Sequence, residues 1–559
     1  MTINWKSATA LSVQLAALAL GASLLASCGG GGGSAVSSEE DTQTPAPDPD
    51  TNPDPVDPTP NPDPDPNPDP SPDPDPTPDP DPTPDPDPTP EPEPAPGLSP
   101  MPTVGSDGIV GWAFGPQPGD LKIAVQPFAR LPMASNNRPP RLNAMAYTGS
   151  RLFVSDELDG RIMEITSGSP VLFFDVAAAI KAATGRNLDT SSSWHAGLRS
   201  FAFHPDFASN GKLYVSVMEQ RPADPQNHHY LSTTATPIGA DSVLIEFTVN
   251  TQTFAVNAQS YRELFRVAMP VYDHPIKQIA FNPDATPGSA DYGLLYIAHG
   301  DGSEASATAG GGQRNDGLGK ILRINPLASG AQAYTIPAGN PFVGDDRWLD
   351  ELYSVGHRNP HHLAFIGAGQ LLVAEPGRDN IEELNLVSGG QNFGWPEREG
   401  TYVHLQRSGL LDGIEPLPAN DAQAGFVYPV AQIGHIGPQG TTFVRQAIGG
   451  GYPGKAGTVF AGQYLYCEFA ATGKIYYSAI DALRAAATTG DPTRLTRAPI
   501  FEASIAFDHD GNPSTPAQEL PSMVDVVSSD PDFSDVEGIR ADIRFGRGPQ
   551  GELYLMSKR

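Results

Sequence analysis

Cysteine is nearly absent from the chain: Cys28 and Cys467 are the only two in 559 residues. A disulfide framework is therefore excluded, and the fold must hold together by core burial. Basic residues are also scarce, 34 Lys and Arg against 65 Asp and Glu, for a net charge of −31. Binding to nucleic acid needs a basic footprint to meet the phosphates, so no nucleic-acid partner is expected. After residue 28 there is no long apolar run, which excludes a transmembrane helix in the rest of the chain. Helix-period patterning is rare throughout.

What is present begins with a leader. Lys6 gives a short basic start, followed by an apolar stretch from about Ala8 to Leu25, the pattern of an export signal over residues 1–28. It ends in Leu-Ala-Ser-Cys28, which resembles the lipobox of bacterial lipoproteins. That resemblance implies acylation of Cys28 and anchoring through lipid chains alone. An ordinary signal peptide with an incidental cysteine is the alternative. Gly29 beside the cysteine carries no inner-membrane retention hint, so the expectation is the outer membrane, on its periplasmic or cell-surface side.

Residues 29–100 read as a Gly-rich and then Pro/Asp-rich linker with no core of its own. Between Ser34 and Gly97 there are 18 acidic residues and no Lys or Arg, more than half of the net charge. Proline fixes φ and removes a donor, so helix and sheet are excluded there and polyproline II is expected. The segment is either a stiffened spacer or a disordered tether. Neither reading gives it chemistry.

From residue 101 to 559 one pattern recurs: a short apolar strand, a Gly or Asn turn, and a second strand ending in aromatic or β-branched residues. Copies begin at Asn143-Ala-Met-Ala-Tyr147, Arg199-Ser-Phe-Ala-Phe203, Gln278-Ile-Ala-Phe281, His362-Leu-Ala-Phe365, Thr442-Phe-Val444 and Ala541-Asp-Ile-Arg-Phe545. Six hairpin-like copies predict an all-β, six-bladed β-propeller. The marker residues Leu152, Leu213, Leu295, Leu371, Leu465 and Leu553 are 61 to 94 residues apart, which leaves long loops where a binding site can sit. The last copy has few residues after it, so a strand near Val110 to Val125 is expected to complete it. A pair of sandwiches is the rival all-β reading.

Four segments then occur in order: Phe201-Ala-Phe-His-Pro-Asp-Phe207, Leu318-Gly-Lys-Ile-Leu-Arg-Ile324, Gly356-His-Arg-Asn-Pro360 and Gly389-Gly-Gln-Asn-Phe-Gly-Trp-Pro396. Together they resemble the glucose/sorbosone dehydrogenase family, which includes soluble aldose dehydrogenases that use pyrroloquinoline quinone (PQQ). The resemblance implies a six-bladed propeller and oxidation of an aldose substrate, with electrons passing on to an acceptor the sequence does not identify. It implies that His274 is the general base, with Asp273 just before it, and that Arg358 and Asn359 contact the quinone. Backbone carbonyls of Gly377 and Arg378 would hold Ca²⁺ beside it. An imidazole oriented by a carboxylate suits proton abstraction near neutral pH, a guanidinium suits a quinone carboxylate, and carbonyl oxygens suit a hard cation.

Other positions depart from the family. His195 stands where a glutamine is expected, and Pro275-Ile276-Lys277 replaces polar and Gly residues after the base. Ala431 stands where a cofactor-binding lysine belongs. An expected arginine pair before the sixth copy is represented at best by Arg540 and Arg544. Quinone carboxylates need positive partners, so these losses keep open a non-catalytic propeller that binds a glycan or a protein. A metal-dependent lactonase is a third reading for which no ligand set is found. Asp301, in His299-Gly-Asp-Gly302, reads as a turn former, and Lys320 and Arg323 as structural. Adjacent residues on extended chain point apart, so His228 and His229 are not expected to share a metal with each other or with His435. Cys467 reads as inert core.

Overall fold

The computed structural model describes residues 116–557, apart from 134–138, 192–194, 234–236, 304–315, 407–412, 435–446, 511, 513 and 530–540. The leader, the linker, Cys28, His435, the expected strand Thr442–Val444 and Arg540 lie outside the described residues. No helix among the described residues is long and apolar enough to cross a membrane.

The described chain is mostly β. It forms successive sheets in which each strand pairs antiparallel with the next. The first sheet is Leu142–Thr148, Arg151–Asp156, Arg161–Glu164 and Val171–Asp175. Its opening hairpin turns at Thr148-Gly149, where Gly149 takes a φ of 56°, a left-handed conformation that favours glycine. The second sheet is Leu198–Phe203, Lys212–Gln220, Ala240–Val249 and Val256–Ala268, with Tyr230–Ser232 added at the edge. The third is Ile276–Phe281, Leu295–His299, Lys320–Ile324 and Leu352–Val355, and the fourth is His362–Phe365, Leu371–Glu375, Ile381–Val387 and Ala431–Gly434. The fifth contains Ile448–Pro453, Gln463–Glu468, Ile475–Ala479 and Phe501–Phe507, and the sixth has two strands, Arg544–Arg547 and Leu553–Met556.

The opening strands of these six sheets touch one another in a closed circuit, from Leu142–Thr148 through each sheet in turn to Arg544–Arg547 and back. Each sheet is thus covered on both faces by its neighbours, and the middle strands bury nearly every residue. Ala240–Val249, for example, is buried at all positions but Thr248. Apolar side chains on both faces explain why these strands read as continuous apolar runs rather than alternating ones.

Two expectations about the ring need correction. The N-terminal strand Gln117–Val125 does not complete the sixth sheet. It runs parallel to Phe501–Phe507 at the edge of the fifth, with Leu121, Ile123 and Val125 packed on the core around Ile505 and Phe545. Its apolar residues alternate, so it has one face to bury, and the Phe501–Phe507 edge accepts it. The fifth sheet opens on Ile448–Pro453, a Gly-rich segment with no strand signature.

Charge is also buried within the second sheet. Arg266 is fully enclosed, with Nη1 3.3 Å from Asp241 and Nε 2.7 Å from Glu263, and it also pairs with Glu219. Cys467 is buried and its thiol is pushed well above its ordinary range by burial, consistent with an inert core residue.

Candidate active site

The site lies at the end of the circuit where the opening strands begin. His274 precedes the third sheet, His195 the second and Arg358-Asn359 the fourth. One turn of the third sheet draws them together. Gly300 follows Leu295–His299, and a Cβ there would sit 2.6 Å from His274 Cβ, 2.8 Å from its carbonyl and 3.2 Å from the Arg358 carbonyl. Only a residue without a side chain lets the two loops approach this closely. Gly300→Ala is expected to cost about 1–3 kcal/mol of stability through overpacking and to displace both loops. Denaturant unfolding of the variant checks this, and an unchanged midpoint contradicts it.

His274 takes a φ of 50°, uncommon for a non-glycine residue and costly unless the surroundings hold it. Its ring is fixed by Asp301: His274 Nδ1 lies 2.6 Å from Asp301 Oδ1. An ionised carboxylate can only accept, so Nδ1 carries the proton and Nε2 keeps a lone pair. Asp301 is in turn held by Trp395, whose Nε1 donates to Oδ2 at 2.9 Å, and by the Ser303 amide at 2.8 Å. Asp301 is therefore the orienting carboxylate as well as the turn former the sequence suggests, its Oδ1 accepting from the amide two residues on. Asp273, expected to orient the ring, stands instead 3.5 Å from His274 Nε2, too far for a hydrogen bond.

Asp273 belongs to a second chain of contacts. Lys277 Nζ donates to His195 Nδ1, and His195 Nε2 donates to Asp273. Ser303 Oγ donates to the other Asp273 oxygen at 2.7 Å. The substitution of His195 for a glutamine and the unexpected Lys277 thus serve one arrangement.

The electrostatics follow. Burial holds His274 below its ordinary value of 6.5, against the pull of Asp273, and Arg358 pushes the same way. Burial, then Lys277, hold His195 well below that value too. Burial alone would raise the Asp273 carboxyl, but the positive charge that His274, His195 and Lys277 can take up, with the hydrogen bond from His195, holds it well below the usual carboxylate range. Both imidazoles are therefore neutral beside a fixed carboxylate at neutral pH. His195, Asp273 and His274 offer ligand atoms within 4.8 Å of one another, the one group among the described residues with a spread that could hold a metal. His228 and His229 turn to different partners, Glu263 and Tyr334.

Arg358 and Asn359 are buried beside this cluster. The Arg358 carbonyl accepts from the Asp301 amide at 2.8 Å, and its guanidinium lies 5.6 Å from the centre of the Trp395 ring. Glu375 accepts from the backbone amides of both residues. Asn359 Oδ1 is buried without a hydrogen-bond partner, an acceptor left over for a bound group. An unsatisfied amide oxygen and a guanidinium beside a neutral imidazole fit a polar aromatic cofactor such as a quinone.

Of the two carbonyls expected to bind Ca²⁺, that of Gly377 is in other use. Arg358 Nη1 donates to Pro376 O at 3.0 Å and to Gly377 O at 2.7 Å. A calcium ion about 2.3–2.6 Å from Gly377 O would meet that guanidinium. Arg378 contributes its amide to Glu399 and leans its side chain toward Asp379 at 3.6 Å. The Gly377 carbonyl, engaged in this way, does not fit Ca²⁺. Ala431 is buried in the last strand of the fourth sheet and supplies no charge. Lys320 and Arg323 are structural, tied to Asp316 and to Asn340 and Asp291.

A ring of mostly β sheets that gathers a carboxylate-held histidine and a buried Arg-Asn pair at one end defines a β-rich protein with a polar site. Residues 147–450 match the family model described as Glucose / Sorbosone dehydrogenase, more than half of the chain, and the chain belongs to that family. It is 26% identical over 350 residues to the HIPL2 protein of Arabidopsis thaliana, covering 56% of this chain and 47% of that one. It is 26% identical over 299 residues to quinoprotein glucose dehydrogenase B of Acinetobacter calcoaceticus, covering 51% and 57%. The chain thus spans about half the length of the curated relatives it matches. Among solved structures, the apo form of the soluble aldose sugar dehydrogenase of Escherichia coli aligns over 75% of this chain and 94% of its own, at 17% identity and a TM-score of 0.48.

Proposed function

We propose that the chain is a six-bladed quinoprotein that oxidises an aldose sugar to its lactone with PQQ, tethered to the outer membrane through Cys28 and the Pro/Asp linker. The observation that carries this reading is His274, neutral, with Nδ1 locked by Asp301 at 2.6 Å and set beside Arg358. When bound, the quinone supplies a two-electron acceptor for the hydride leaving the anomeric carbon. Arg358 and Asn359 hold the cofactor, Asn359 through its unpartnered Oδ1. His274 Nε2 takes the proton of the anomeric hydroxyl, and Asp301 keeps the ring in the tautomer that can accept it. Asp273, 3.5 Å from Nε2, stabilises the imidazolium that results. Calcium has no role in this account.

The base works only when neutral. Its pKa lies below 6.5, so kcat/KM is expected to stay level through neutral pH and to fall on acidification with a midpoint below that value. A midpoint above 6.5 in the pH profile contradicts the assignment.

The test of the reading is dye-linked turnover of the PQQ-supplemented protein with a panel of aldoses. Reduction of the dye by at least one sugar is the expected result. Absent turnover with every sugar leaves the non-catalytic, glycan- or protein-binding reading, which the uncharged Ala431 position favours, and turnover that does not depend on the quinone contradicts the quinoprotein reading.

A further inference from the structure

His195 has no part in the chemistry proposed above, yet it completes a group of three. His195, Asp273 and His274 stand in the segments that precede the second and third sheets, and one nitrogen or oxygen of each lies within 4.8 Å of the other two. Asp273 is the pivot. His195 Nε2 bonds one of its oxygens, and His274 Nε2 stands 3.5 Å from the other. The two rings meet edge to face, at 90° with centroids 5.7 Å apart.

This spacing suits a metal ion. Zinc bonds of about 2.0–2.2 Å to imidazole nitrogen and carboxylate oxygen, set in a tetrahedron, put neighbouring ligand atoms about 3.3–3.5 Å apart. The His274–Asp273 distance has that value already. The His195–Asp273 contact is closer because a proton lies between the two atoms, and an ion would take that proton's place.

The outer groups are those that orient ligands at metal sites. Asp301 accepts from His274 Nδ1 at 2.6 Å, which fixes the tautomer whose Nε2 carries the lone pair a metal needs. Ser303 Oγ donates at 2.7 Å to the Asp273 oxygen nearer His274 and steadies the carboxylate. Lys277 Nζ lies against His195 Nδ1. Burial, and then Arg199, hold Lys277 well below the ordinary lysine range, and in its amine form it accepts from Nδ1–H and leaves Nε2 to the ion. Asp273 keeps 33% of its side-chain surface exposed and His195 20%, so an ion can enter from solvent.

We propose that His195, Asp273 and His274 form a binding site for a divalent transition metal of the zinc class, through two imidazole nitrogens and one carboxylate oxygen. Two nitrogen donors favour such an ion over Ca²⁺ or Mg²⁺, which take oxygen ligands. Binding needs no quinone. It occupies His274 Nε2, so, on the reading proposed above, the metal competes with aldose oxidation.

The experiment is calorimetric titration of the full, chelator-treated chain with ZnCl₂ and with CaCl₂, without added quinone. One equivalent of zinc is expected to bind, at least tenfold more tightly than calcium. Loss of an outer group alone costs about 10–100-fold in affinity at metal sites, so loss of a ligand in His195→Gln or in Asp273→Asn is expected to weaken zinc at least tenfold. The second variant carries the test should the first fail to fold. Absence of zinc binding overturns the site, and so does binding that both variants leave unchanged, which would put the ion elsewhere on this acidic chain. Calcium binding as tight as zinc overturns the transition-metal class. With no quinone present, failure of the quinoprotein reading leaves this result untouched, and failure here leaves that reading standing.

Discussion

His274→Ala is expected to lower kcat for aldose oxidation by roughly 10²–10⁴-fold, the contribution a positioned general base makes, while the affinity for PQQ stays within about threefold of the parent. The separation follows from where the side chains stand. In the proposed site His274 would present Nε2 to the substrate and is anchored on Nδ1 by Asp301, whereas Arg358 and Asn359 would hold the cofactor. Asp301→Asn sharpens the test. An amide at that place can donate to Nδ1 as readily as accept from it, so the ring loses its fixed tautomer while Trp395 Nε1 keeps an acceptor. A loss of kcat smaller than that of His274→Ala, with a shifted acid limb in the pH profile, is expected from steady-state kinetics. Asp273→Asn leaves the tautomer intact and removes only the charge 3.5 Å from Nε2, so it should cost less than Asp301→Asn. The reverse order would restore Asp273 as the orienting residue.

The largest effect on stability is expected at Arg266→Met. The guanidinium is fully buried and serves Glu219, Asp241 and Glu263 at once. Methionine fills much of the volume but strands Glu219 and Asp241, which are themselves buried. Removing one partner from a buried ionic cluster costs about 3–5 kcal/mol, because the remaining charges keep their desolvation penalty without their compensation. Arg221 and Arg186 also reach Asp241 and Glu219, at 3.4 and 3.1 Å, which places the loss toward the lower part of that range. Urea unfolding followed by fluorescence checks the value, and a loss under about 1 kcal/mol would mean that the outer arginines carry the cluster.

Much of the architecture was legible because the middle strands bury both faces and so stand out as apolar runs. Arg151-Leu-Phe-Val-Ser155 and Gln370-Leu-Leu-Val-Ala374 coincide with strands to within a residue. The opening strand of the fifth sheet was hidden by composition. Gly449, Gly450 and Gly451 suggest a loop, yet a Cβ at Gly450 would overlap His362 and one at Gly451 the Leu465 carbonyl, so the glycines are what permits the pairing. In the site, His274 and the Arg358-Asn359 pair were legible from motif order. Asp301 was not, because Gly-Asp-Gly has the composition of an exposed turn and nothing local shows that the carboxylate points inward to an imidazole 27 residues away. Lys277 and Trp395 were missed for the same reason: their partners come from other sheets. The misreading of the Gly377 carbonyl is instructive, since the competing cation is Arg358, from the preceding loop.

The account stands most directly on whether this end of the circuit holds a quinone. Fluorescence titration of the full chain with PQQ, with and without chelator, measures that. One equivalent bound by the parent protein, unaffected by removal of calcium and weakened at least tenfold in Arg358→Leu, is the predicted result. Absence of saturable binding, or binding indifferent to Arg358, would contradict it.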